Sequence, residues 1–374
     1  MPSNYLKDDP TYGQIDLDEE FITESWLIDK YVGGTLFTWG YNSYGEVGNG
    51  TAGSNYYSPV QIGNLTNWKQ ISSSISHKAA IKTDGTLWTW GGYNSYYGHL
   101  GNGTTAFYSS PIQIGSLTNW KEVSCGYYST AAIKTDGTLW TWGYNYYGQL
   151  GNGSTLPFYS GVSTPIQIGS LTNWKHVSGN NSSYGVFYAI KTDGTLWAWG
   201  YYIQGYPGSS SPVQVGTDKD WRYINKDLAI KTDNSLWLIN NGQTAFQTYG
   251  TSQDWKQVST AGNYWLGIKT DGTLWAYGYN VQGQLGNGTT ITSTSPIQVG
   301  SSTNWKQVEV GSSQTVAAIK TDGTLWTWGL GLYGELGNNA NSYSSPIQVG
   351  LLTNWKRVSS IGYGIAAITF ADIT

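Results

Sequence analysis

Apolar and polar residues alternate in short runs along most of this chain, and the runs recur in a fixed order. In Ile133-Lys134-Thr135-Asp136-Gly137-Thr138-Leu139-Trp140-Thr141-Trp142-Gly143 an apolar run enters an Asp-Gly pair and a second run leaves it. Alternation on both sides of Asp-Gly predicts a β-hairpin, in which Asp and Gly supply the positive φ of a tight turn. The same word returns at 81–91, 190–200, 230–240, 268–278 and 319–329, and a half copy stands at 34–40.

A full cycle adds two more strand-like runs. Trp120-Lys121-Glu122-Val123-Ser124 precedes the hairpin, and Pro165-Ile166-Gln167-Ile168-Gly169 closes the cycle after a loop containing Gly148-Gln149-Leu150-Gly151. Four strands in about fifty residues is the arithmetic of a propeller blade. A Trp followed by Lys or Arg marks each cycle, at Trp68, Trp120, Trp174, Trp221, Trp255, Trp305 and Trp355, which makes seven blades. The first copy begins at its third strand and the last, ending in Ala366-Ala367-Ile368-Thr369-Phe370, stops after its second. Each end lacks what the other has, so a two-plus-two clasp is expected to complete one blade and leave no open sheet edge. The expectation is an all-β, seven-bladed β-propeller of four-stranded blades over residues 33–374. The cycle from Trp221 to Trp255 is short and lacks the Gly-Gln-Leu-Gly loop, which predicts a bare stretch of rim.

Residues 1–32 stand outside the repeat and form an acidic N-terminal arm. Asp16 and Glu19 suit a capping box ahead of Phe21, Ile22, Trp26, Leu27 and Ile28, which predicts a short helix near 18–30. Two readings stay open: a segment packed on the propeller, or an attachment arm that docks a partner through Phe21, Trp26 and Leu27.

Val123-Ser124-x-Gly126 and Gly143-Tyr144-Asn145-x-x-Gly148-Gln149-Leu150-Gly151 resemble the two signature segments of the regulator of chromosome condensation family. Copies of them run through about residues 33–370. The resemblance implies a seven-bladed propeller, and the wording of the repeat is most similar to the bacterial and phage branch. The family's His after Ser-x-Gly is kept as His77, while Ser129 stands there in the next blade. No β-wedge insertion is found, so nucleotide-exchange activity is not carried over.

Composition narrows the function. Only 11% of residues are charged while 20 Trp, 30 Tyr and 50 Gly are present, which suits many short strands and tight turns rather than disorder. A net charge of −4 argues against a general nucleic-acid binder. One cysteine, Cys125, excludes an internal disulfide framework. Neither a signal peptide nor a membrane span is visible, so synthesis in a cytoplasm is expected.

Chemistry finds little support. His77, His99 and His176 fall in three non-equivalent slots, so no shared metal site is expected, and no nucleophile elbow or phosphate loop appears. Asp84, Asp136, Asp193, Asp233, Asp271 and Asp322 all occupy the hairpin turn, where Asp bonds turn backbone. Glu46 and Glu335 replace Gln in the Gly-Gln-Leu-Gly loop and form the one carboxylate pair worth weighing against a glycosidase. The ring of Lys82, Lys134, Lys191, Lys231, Lys269 and Lys320 is expected to be a solvated rim, neutralised by the Asp two residues on.

What is suited to binding is the long-loop rim. Tyr41, Tyr44, Tyr93, Tyr96, Tyr97, Tyr144, Tyr146 and Tyr147 follow the Trp-Gly strands, with Phe107, Tyr108, Phe158 and Tyr159 a little farther on. Tyr among Ser, Asn and Gly makes an adaptable contact surface, for protein or for a surface glycan. The expectation is a non-enzymatic binding or structural module without cofactor or metal, able to join a larger assembly. Its suggested setting is a bacteriophage virion surface or tail. A regulator that caps a protein partner is the chief rival, and a polysaccharide-acting enzyme comes third.

Overall fold

The structure is a computed structural model. It describes residues 33–92, 96–180, 185–201, 208–239, 247–248 and 252–370. The predicted arm helix, with Phe21, Trp26 and Leu27, lies outside the described residues, as does Tyr93.

Blade three shows how the repeat folds. Its strands Trp120–Cys125, Ser129–Lys134, Leu139–Tyr144 and Gly161–Gln167 pair antiparallel in chain order. Seven such sheets are formed among the described residues. The first strands contact one another around the axis, so each blade radiates outward from its Trp-Lys strand. The second strand is covered by blades on both faces and is buried along its whole length, hence its unbroken Ala131-Ala132-Ile133 run. Blade five has shrunk as expected, its third and fourth strands reduced to Leu236–Leu238 and Gln247–Thr248.

The ring closes by the clasp. Strand Leu36–Gly40 pairs with Gly364–Thr369 in a register running from Leu36↔Ile368 to Gly40↔Gly364. The sheet order puts Tyr56–Gln61 outermost and Trp355–Ile361 innermost, so blade one takes two strands from each end of the chain.

Two repeat words prove to be halves of one joint between blades. The fully buried Trp142 donates its Nε1–H to the carbonyl of His99 in the preceding blade's loop, at 2.9 Å. Trp90 does the same to Glu46, Trp199 to Gln149, Trp328 to Gln284 and Trp39 to Glu335. A Cβ at Gly101 would lie 2.6 Å from Trp142 Nε1, which is why the loop ends in glycine.

The hairpins differ in two ways from expectation. Only the glycine takes positive φ, at +77° for Gly137 and +64° for Asn234 in its place in blade five. The aspartate serves through its side chain instead. Asp136 Oδ1 accepts from Thr138 N at 3.0 Å and Thr138 Oγ1 at 2.7 Å, and that hydroxyl in turn accepts Trp140 Nε1 at 2.9 Å. These bonds hold the Asp136 carboxyl below its ordinary range.

The lysine ring is also not a solvated rim. Lys134 Nζ sits 3.5 Å from the Trp140 ring centroid and 4.9 Å from that of Trp120. Lys82, Lys191, Lys231, Lys269 and Lys320 each lie over the two matching indoles. The indole faces attract the ammonium more effectively than an exposed aspartate screened by water. Burial lowers the pKa of Lys82, Lys134 and Lys191.

Candidate functional site

Turns joining first to second strands, and loops joining third to fourth strands, emerge on one face of the disc, and in blade three local bonds fasten the loop. Asn145 Oδ1 accepts from Leu150 N at 3.0 Å, Gln149 Oε1 from Tyr147 N at 2.9 Å, and Thr141 Oγ1 donates to Leu150 O at 2.7 Å. The Asn-Gly-Thr/Ser triplets are turns, in which Asn49, Asn102, Asn152 and Asn287 accept from the residue two positions on.

On this frame the aromatic residues divide into support and display. Tyr97 and Tyr144 are buried, with ring centroids 4.5 Å apart, and burial pushes the Tyr144 phenol up. Tyr41, Tyr44, Tyr108 and Tyr147 are half-buried. Tyr96, Phe107, Tyr146, Phe158 and Tyr159 are exposed. The displayed rings touch one another: Tyr96 and Tyr159 at 5.9 Å, Phe158 and Tyr159 at 4.3 Å, Tyr146 and Phe158 at 5.2 Å. Residues 92–108 and 144–160 contain no Asp, Glu, Lys or Arg. Blades two and three thus present a continuous aromatic patch without charge.

The carboxylate pair does not form a site. Glu46 Oε2 accepts from Tyr44 N and Glu335 Oε2 from Tyr333 N, both at 2.8 Å, which is the bond made by Gln149 in its own loop. Both are buried in separate loops; burial raises the pKa of Glu46 and pushes Glu335 up to about 7. His77 and His99, in different slots by sequence, are brought together at 4.8 Å between ring centroids. His77 is held by Ser74, Ser76 and Thr130, and burial lowers both imidazoles, His99 to about 4. No group of three or more His, Cys, Asp or Glu converges among the described residues. Cys125 is buried, and burial pushes its thiol up to about 12.

The sequence reading missed the axial channel, a cavity of about 240 Å³ lined by the first strands. In blades two to seven the second residue after the leading Trp reaches across to the next blade. Gln70 Oε1 accepts from Val123 N and its Nε2 donates to Val123 O, at 3.1 and 3.3 Å, and Gln257 and Gln307 repeat this on Val308 and Val358. Two residues on, Ser72, Ser124, Ser178, Ser259 and Ser359 accept backbone N–H from the following blade. Aligning the cycles on their Trp would have shown polar residues alternating with Val or Ile at these positions.

On one side of the channel ions replace the amides. Glu122 Oε1 accepts from Val177 N at 3.1 Å and pairs with His176 Nδ1 at 2.6 Å, while His176 Nε2 meets Ile224 O at 3.2 Å. Burial works against the imidazolium, but Glu122 outweighs it and the pKa is raised. In shortened blade five Lys226 Nζ donates to the carbonyls of Thr260 and Val310. Burial lowers it to about 8, and pushes Glu309 up to about 7 and Asp227 to about 6.

A closed ring of seven four-stranded blades, tied to one another by buried side-chain bonds, is a β-propeller. Matches to the regulator of chromosome condensation (RCC1) repeat cover residues 33–81, 84–133, 136–183, 271–318 and 322–367, and a second form of the repeat matches 120–149. The chain belongs to this family. The ultraviolet-B receptor UVR8 of Arabidopsis thaliana is 26% identical over 313 residues, covering 81% of this chain and 62% of the receptor. The chain therefore spans less than two thirds of that relative's length. Among solved structures, human WBSCR16 superimposes with a TM-score of 0.77 at 16% identity, covering 91% of this chain and all of the other. Yeast RCC1 (Prp20), in a crystal structure where it is bound to Kap60, gives 0.76 at 16% identity over 97% of each chain. At that identity the two structures show the shared fold alone.

Proposed function

We propose that this protein is a non-enzymatic binding module that grips a protein partner with the aromatic loop face of blades two and three. The observation that carries this is the uncharged patch of Tyr96, Tyr146, Phe158 and Tyr159, whose rings pack on one another, with Phe107 exposed in the same blade-two loop as Tyr96. Rigid aromatic groups supply contact area at low entropic cost and are the side chains on which interface energy concentrates. A yeast protein of the same fold is found in complex with a protein, Kap60, which favours testing a protein partner before a glycan. Glu46 and Glu335 are committed to their own loops, which favours binding over hydrolysis. Display on a virion surface or tail is the setting suggested by the texture of the sequence. A mass-spectrometric census of purified virions tests it.

The decisive variant is Tyr96→Ala with Tyr146→Ala, assayed by quantitative capture from the producing extract and on a glycan array. Each ring is about half exposed or more, so the melting curve should hold while capture of the protein partner falls about tenfold or further. Undiminished capture overturns the assignment of the face. Loss of a glycan signal instead replaces the protein partner by a sugar.

A further inference from the structure

The opposite face carries a feature that neither the fold nor the aromatic loops explain. Five residues starting at a Gly lead into each leading Trp, as Gly115-Ser116-Leu117-Thr118-Asn119 lead into Trp120. The third of them is Leu352, Leu65, Leu117 and Leu171 on entering blades one to four, and each is close to half exposed. Leu351 beside them is 94% exposed. On entering blades five, six and seven the same position is Asp218, Ser252 and Ser302. Those polar residues meet the lysine lying over the indoles: Asp218 bonds Lys231 at 2.7 Å, Ser252 Lys269 at 3.2 Å and Ser302 Lys320 at 3.3 Å. In blades two to four the leucine has no such bond to offer its lysine. Leucine at these four sites is therefore not required by the blade, and the four stand at the same place in successive blades, a crescent of leucines along one side of the disc.

The same side is positive. Across blades one to four this face exposes Lys121 and Lys175 after the leading Trp, with Lys69 half-buried, while Lys356, Lys82, Lys134 and Lys191 lie buried beneath it. Among the described residues of these blades, Asp84, Asp136 and Asp193 are the acids of the hairpin turns on this face. Residues 1–32 have the complementary character, with eight Asp or Glu against Lys7 and Lys30, and with Phe21, Ile22, Trp26, Leu27 and Ile28 among the acids. That arm joins the disc on this face. Gly33 abuts Asn67, and Gly34 bridges Trp68, with N–H to carbonyl bonds of 2.9 and 3.1 Å in the two directions. The junction is thus two residues from Leu65. The twelve residues from 33 back to 21 can reach at most about 40 Å.

We infer that the arm of residues 1–32 docks on the leucine crescent of its own propeller. Its apolar residues cover Leu65, Leu117, Leu171 and Leu352, and its carboxylates face Lys69, Lys121 and Lys175. The tether supplies an effective concentration that a separate acidic partner would have to exceed. This surface is independent of the aromatic face.

The test is carbodiimide cross-linking of the full-length protein, mixed with a ¹⁵N-labelled copy and read by peptide mass spectrometry. Expected are isotopically pure links from Asp18, Glu19, Glu20 or Glu24 to Lys69, Lys121 or Lys175. They should fall at least fivefold in Leu65→Ser/Leu117→Ser/Leu171→Ser, a variant that places at each site the residue already used at Ser302 and keeps its melting point. Hydrogen exchange of 63–67 and 115–119 should quicken in Glu19→Lys/Glu20→Lys/Glu24→Lys, whose changes all lie outside the disc. Absence of these links, links of mixed isotope, or links indifferent to the leucine changes would each overturn the inference.

Discussion

Glu335→Gln is the sharpest probe of how the loops are built. Glu335 is buried, its Oε2 accepting from Tyr333 N, and burial moves its carboxyl from 4.5 to about 7. A carboxyl whose pKa is raised on folding favours the folded state while protonated, and that advantage is lost as pH climbs from the unfolded value through the folded one. The Glu335 contribution to the parent's stability should therefore fall between about pH 4.5 and pH 7 and level off above, while the buried His77 and His99 contribute in the opposite direction over that range. At 1.36 kcal/mol per unit the loss amounts to about 3 kcal/mol. Gln keeps the acceptor for Tyr333 N, as Gln149 does for Tyr147, and has no proton to lose. The variant should match the parent near pH 4.5 and exceed it by up to about 3 kcal/mol above pH 7, measured by urea unfolding across that range. A difference independent of pH, or a variant less stable throughout, would refute the reasoning.

Two further outcomes follow from the ring. Deleting residues 365–374 removes the partner of strand Leu36–Gly40 and bares two edges of blade one, so loss of the cooperative transition and aggregation are expected in calorimetry and light scattering. Gln257→Leu leaves the N–H and C=O of buried Val308 without their cross-blade partners and should cost about 2 kcal/mol in denaturant unfolding, while Gln257→Glu, which keeps the acceptor as Glu122 does, should cost less.

Much of the blade was legible because its bonds are local. Asp136 to Thr138, Asn145 to Leu150 and Gln149 to Tyr147 span two to five residues, so the words that encode them repeat intact and count the blades. The clasp was legible for a related reason, since each end of the chain lacks the half that the other supplies. Tyr96 and Tyr97 are where this stops. They are adjacent and identical in type, yet one is exposed and the other packs on Tyr128 and Tyr144 of the next blade. The lysine before each hairpin was misjudged because its Asp is two residues away in the chain, while one of the indoles that hold it begins the blade. The channel amides reach partners 53 residues distant and Trp142 a carbonyl 43 distant. The sequence alone therefore determined strands, turns, blade number and closure, all set by neighbours in the chain. Which polar groups are spent between blades, and which aromatic groups and leucines remain outside, was decided by ring closure, because only the next blade determines what each side chain meets.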